Sequence, residues 1–149
     1  MILTPCPGSK DSSVASTLDT LQAAGAQALI TLMPEGELEH NQAGELPALC
    51  AARNLEWFHL PVADEQVPLA DFDAAWSQAR ERIAGLLGEG RSIAIHCKGG
   101  SGRTGLIAAR ILIDRGLPRA EAVALVQALR PKAIKHPAHV AWLAQFDAE

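Results

Sequence analysis

Short apolar runs alternate along this chain with longer segments whose apolar residues recur every three or four positions, the pattern of strands alternating with helices. The strand runs are Ala28-Leu29-Ile30-Thr31-Leu32, Trp57-Phe58-His59-Leu60 and Ser92-Ile93-Ala94-Ile95-His96, with a further short strand around Ile2 and Leu3. Nearly continuous apolar runs of this kind suit strands covered on both faces. Gly25 marks a helix stop before the first run, and Gly88-Glu89-Gly90 marks a turn before the last. Ser12 or Ser13 opens a helix that turns Val14, Leu18 and Leu21 inward, and Leu46, Leu49 and Cys50 mark another. Asp71 or Asp73 caps a helix carrying Phe72, Ala75, Trp76, Ala79, Ile83, Leu86 and Leu87 on one face. From Arg103 to about Arg115 the chain is apolar nearly all round, which predicts a buried central helix ending at Gly116 before Pro118. Two more helices follow, one with Ala122, Leu125, Val126 and Leu129, the last with Val140, Leu143 and Phe146. The expected fold is α/β, a central, mostly parallel sheet of four or five strands flanked by about six helices.

That order singles out one place on the chain. A buried strand ends at His96, a glycine-rich loop follows, and a buried helix begins near Arg103. Ligands of open α/β sheets bind at the carboxyl ends of the strands. The loop reads His96-Cys97-Lys98-Gly99-Gly100-Ser101-Gly102-Arg103-Thr104-Gly105. Successive amides in a tight turn, followed by a helix N-terminus, form a concave donor set for a phosphoryl dianion. Gly99, Gly100 and Gly102 let the backbone approach the anion, with Lys98 and Ser101 completing the phosphate-binding loop. Arg103 stands where its planar fork can take two phosphate oxygens. The same donors favour Cys97 as a thiolate nucleophile. Thr104 is placed to hydrogen-bond the sulfur, and His96, at the strand end, is given an orienting role.

Composition narrows the chemistry further. The 149 residues are enough for one domain, expected to span 1–149, with 48% apolar and 20% charged residues. A net charge of −4 argues against a nucleic-acid partner and against stable membrane association. The longest apolar stretch, around Leu106 to Ile113, is broken by Arg110 and is too short to span a bilayer. Met1-Ile2-Leu3-Thr4-Pro5 does not read as a secretory signal, and three irregularly spaced cysteines do not suggest a disulfide framework, so a reduced, cytoplasmic protein is expected. Cys6 and Cys50 read as small buried hydrophobes. A nucleotide-binding loop of the Lys-Ser/Thr type is disfavoured, because Arg103-Thr104 stands where it needs lysine.

The run His96-Cys97-x-x-Gly100-x-x-Arg103-Thr104-Gly105 resembles the signature of the cysteine-dependent protein tyrosine and dual-specificity phosphatases. The wider layout is similar to the compact members related to the kinase-associated group, and so implies a dual-specificity-phosphatase-like fold. Two segments carry that wider likeness, Thr31 to Leu38 before a helix and Leu129 to Pro137 after the penultimate one. The resemblance implies a protein phosphatase acting on phosphotyrosine and phosphoserine/threonine proteins through a phosphocysteine, without cofactor or metal. Asp64, four residues before Pro68 in the loop after the Trp57–Leu60 run, matches the family's general acid, with Glu65 second to it. Related enzymes often carry a glutamine near position 139 that positions the hydrolytic water. His139 stands there in this chain and is expected to face solvent. His136 and His139, separated by Pro137 and Ala138, are not expected to bind metal. Lys98 has two readings, a preference for substrates with extra negative charge or a solubilising loop lysine. Other small-molecule or phosphoinositide phosphatases, a non-catalytic phosphate-binding module and sulfur or arsenate chemistry on the loop cysteine are the alternatives.

Overall fold

The computed structural model describes residues 1–9 and 12–146. Its strands are β1 (Ile2–Thr4), β2 (Ala26–Thr31), β3 (Glu56–His59) and β4 (Ser92–His96). They form one sheet in the order β1-β4-β2-β3, and every pairing is parallel. The helices are α1 (Val14–Ala23), α2 (Glu35–His40), α3 (Leu46–Ala52), α4 (Ala70–Gly88), α5 (Gly102–Asp114), α6 (Arg119–Leu129) and α7 (Pro137–Ala144).

Side-chain alternation along the strands divides the core into two. On β2 and β4, Ala28, Ile30, Ile93 and Ile95 face a cluster built with α4 to α7. Leu29 and Ala94 face the opposite cluster, built with α1 to α3. Both central strands are thereby covered on both sides, as their apolar runs require. α5 is buried along most of its length, from Arg103 to Ile113. Leu106, Ile107, Ala108 and Ala109 are wholly inaccessible, and burying a leucine or isoleucine side chain contributes about 1.5–3 kcal/mol.

Local readings needed two adjustments. Asp71 and Asp73 lie inside the first turn of α4, whose N-cap position is Leu69 and carries no side-chain cap. Asp71 Oδ1 accepts the neighbouring Phe72 N–H at 3.0 Å, and both carboxylates act on the positive end of the helix. Ser13, by contrast, does cap α1 by accepting the Ser16 N–H at 3.0 Å. The second adjustment is α2, a helix of six residues that begins inside the Thr31–Leu38 segment and runs past it to His40, too short to show a period.

Register brings the carboxyl ends of the strands level. Thr4 pairs with His96, His96 with Thr31, and Thr31 with His59. The loop from Cys97 to the start of α5 leaves the sheet at this edge.

Candidate active site

Cys97 is 3% exposed, at the end of the buried β4. Its Sγ accepts two hydrogen bonds, from Thr104 Oγ1–H at 3.0 Å and from Gly100 N–H at 3.3 Å. Gly100 adopts φ +78°, open to glycine at little cost. A Cβ there would come within 2.6 Å of the Pro5 nitrogen and the Thr4 carbonyl carbon, so the loop lies directly on the end of β1. Cys6 N–H donates to the Lys98 carbonyl at 3.0 Å and fixes the other shoulder of the loop. No side-chain cap covers the first amides of α5, and uncapped amides at a helix N-terminus are the kind of donors that favour an anion. The Lys98 and Gly99 residues are exposed at the loop surface, and Ser101 is half-buried.

Arg103 is 4% exposed and heavily bonded. Nη1–H and Nη2–H donate to the two carboxylate oxygens of Glu37 at 2.9 and 2.7 Å, and Nη1–H also donates to the Val62 carbonyl at 2.8 Å. Burial opposes the charge, but the Glu37 carboxylate outweighs it and holds the guanidinium pKa above its ordinary value. A guanidinium has five N–H donors. The bonds to Glu37 and Val62 engage three of them.

Asp64 is two-thirds exposed at its side chain, with Oδ1 3.5 Å from Arg103 Nη2. It sits in a turn closed by Gln66 N–H donating to the Ala63 carbonyl at 3.1 Å, and Glu65 in that turn has φ +60°. Val62 anchors the near side, its N–H donating to the Leu32 carbonyl at 2.8 Å. His139 anchors the far side. It is buried, 7% exposed, with Nε2 3.2 Å from the Gln66 carbonyl, and burial lowers its pKa. The expectation that His139 faces solvent is therefore corrected. α7 turns it inward onto the Asp64 loop because Trp142 and Leu143, one turn further along, pack into the core. A cavity of about 430 Å³ is lined by Asp64, Glu65, Gln66, Gly102, Arg103, His136 and His139.

His96 is wholly buried and makes Nδ1···O 3.1 Å to the Cys97 carbonyl and Nε2···Oγ1 2.8 Å to Thr31. Burial drives its pKa down to about 4. Cys6 and Cys50 are buried free thiols, as expected. Burial pushes both up to about 11, with the Glu37 and Cys97 charges adding at Cys6.

Asp64 and Arg103 thus line this cavity together, Cys97 and Thr104 are joined by the Oγ1–H···Sγ bond at the root of the same loop, and His96 stands behind Cys97. Sequence reasoning missed Glu37 and Arg130. Arg130 Nε–H donates to the Gly100 carbonyl at 2.9 Å and its Nη2–H to the Leu3 carbonyl at 2.7 Å, bracing the loop against β1. Both residues fall in the segments that carry the wider family likeness, and that likeness was their only signal.

Comparison with known proteins identifies the family. The family described as Tc-R-P, polymorphic toxin system, DSP-PTPase phosphatase, matches residues 7–117. The chain belongs to this phosphatase family. Cyclin-dependent kinase inhibitor 3 of Rattus norvegicus is 30% identical to this family member over 111 residues, 72% of the chain. The chain spans about half, 51%, of that relative's length. A kinase associated phosphatase, solved with its catalytic site cysteine substituted by serine, superposes with a TM-score of 0.81 at 26% identity. That match covers 95% of this chain and 81% of the other. Tk-PTP in its active form gives 0.70 at 26% identity, over 89% and 84% of the two chains. The compact dual-specificity fold of the family is therefore the fold of this chain. No helix among the described residues is long and apolar enough to cross a membrane.

Proposed function

We propose that the protein hydrolyses phosphomonoesters through a covalent phosphocysteine on Cys97, with phosphorylated proteins as the substrate class. The observation that carries this reading is the pair of hydrogen bonds converging on Cys97 Sγ, from Gly100 N–H and Thr104 Oγ1–H, beside a buried and oriented Arg103. Donors aimed at the sulfur favour its anion, the form that attacks phosphorus.

In the first step the Cys97 thiolate displaces the alcohol or phenol from phosphorus, and Asp64 donates a proton to the leaving oxygen. In the second, the Asp64 carboxylate takes a proton from water as that water attacks phosphorus. The S–P bond breaks, phosphate leaves, and Thr104 Oγ1–H receives the returning thiolate. Arg103 Nε–H and Nη2–H, with the loop amides, stabilise the equatorial oxygens in both steps. The Glu37 pair holds the guanidinium in place before substrate arrives, so little reorganisation is required.

The test is hydrolysis of p-nitrophenyl phosphate by the full chain. Cys97→Ser is expected to abolish turnover. Asp64→Asn is expected to lower kcat by about 10²–10⁴ while inorganic phosphate or vanadate still binds. Turnover that survives Cys97→Ser overturns the proposal.

A further inference from the structure

Hydrogen bonds link side chains on three neighbouring strands across the carboxyl edge of the sheet. Trp57 Nε1–H on β3 donates to Thr31 Oγ1 on β2 at 2.8 Å. Thr31 Oγ1 lies 2.8 Å from His96 Nε2 on β4, and His96 Nδ1 lies 3.1 Å from the carbonyl of Cys97. Thr31 and His96 are both wholly inaccessible to solvent, whereas Trp57 is half-buried on the edge strand.

The proton positions along this chain follow from donor and acceptor chemistry. A carbonyl only accepts, so His96 Nδ1 carries a proton. Burial keeps the ring neutral, so Nε2 is bare and must accept. Its donor is the Thr31 hydroxyl. An indole N–H only donates, so Trp57 occupies a lone pair of the Thr31 oxygen and leaves the hydroxyl proton to point at His96. Each bond thus sets the direction of the next.

We propose that Thr31 and Trp57 are positioning residues for the nucleophile, locking His96 in its Nδ1–H tautomer and through it the Cys97 carbonyl. The assignment rests on the phosphocysteine reading and adds to it a control from the edge of the sheet. The Cys97 peptide is held from below by an imidazole that has only one way to bond. An error in the tautomer turns the Nδ1 lone pair onto the carbonyl oxygen and pushes the loop away from its donors. Displacements well under 1 Å at a reacting atom already reduce turnover.

Nitrogen-15 NMR of the imidazoles in the full chain reads the lock directly, without turnover. The wild type is expected to show His96 as a single Nδ1–H tautomer. Thr31→Val, close in shape but without the hydroxyl, is expected to mix the tautomers. It should also lower kcat for p-nitrophenyl phosphate about tenfold with KM nearly unchanged. Thr31→Ser should restore both. If Thr31→Val does not fold, Trp57→Phe removes only the outer donor at a half-buried site and should still bring up the second tautomer. A wild-type His96 protonated on Nε2 overturns the proposal, as do variants whose tautomer and kcat stay those of the wild type. A wild type without any turnover sinks the phosphocysteine reading instead, and the NMR spectrum then decides the lock alone.

Discussion

Arg103 remains charged inside the protein because Glu37 meets it end to end. A cation 4% exposed costs several kcal/mol of lost hydration unless it is paired, and two parallel N–H···O bonds with a third to Val62 supply the pairing. Glu37→Ala, which strands that charge, is expected to lower the unfolding free energy by about 3 kcal/mol, read from urea denaturation. A loss no larger than that of an exposed pair such as Arg82–Glu56 would remove Glu37 from this role. Cys97, Arg103 and Thr104 were legible in the sequence because they lie within eight residues of one loop, where spacing alone fixes geometry. Glu37 was not, because it is 66 residues from its partner and only the packing of α2 beside the loop joins them.

At the level of elements, the site depends on how loops are clamped between neighbours. The Asp64 turn is held by Val62 on one side and by His139 of α7 on the other. His139→Ala should free the far side and lower kcat for p-nitrophenyl phosphate severalfold. In an Asp64→Asn background the same change should have little further effect, as two residues acting as one unit are not additive. Equal losses in both backgrounds would detach His139 from Asp64. α5 meets the next segment closely at Gly105, where an added Cβ would lie 2.4 Å from Ala133 Cβ and 3.1 Å from Val126 Cγ1. Gly105→Ala raises intrinsic helix propensity, yet overpacking should dominate and cost about 1–3 kcal/mol in thermal or urea unfolding. A more stable variant would show that the contact yields freely. The helix pattern of α5 was plain in the sequence, but its glycine read only as part of the signature, since the close partner comes from a different element.

For the whole molecule, buried imidazoles tie stability to pH. The folded state holds His96 neutral down to about pH 4, while the unfolded chain protonates it near 6.5. Between those values the unfolded state binds more protons, so stability rises with pH there and is lost as pH falls from about 6.5 to about 4. The His96 part amounts to roughly 3 kcal/mol, and His139, lowered by burial as well, acts in the same direction. Urea midpoints across this window should climb steeply in the wild type and less steeply in His96→Asn. A flat wild-type profile would contradict neutral burial of His96.

The amino-acid order alone settled the alternation of strands and helices, the buried course of α5 and the glycine-rich loop that leads from Cys97, after β4, to Arg103 in the first turn of α5. These follow from contacts a few residues apart, where periodicity and loop chemistry suffice. The folded arrangement decided which distant side chains hold that loop: Glu37 and Val62 on Arg103, Arg130 on Gly100, His139 on the Asp64 turn, and Thr31 with Trp57 behind His96. Those bonds join residues brought close only when parallel strands line up their carboxyl ends and two helical layers close over them, a condition that no local pattern encodes.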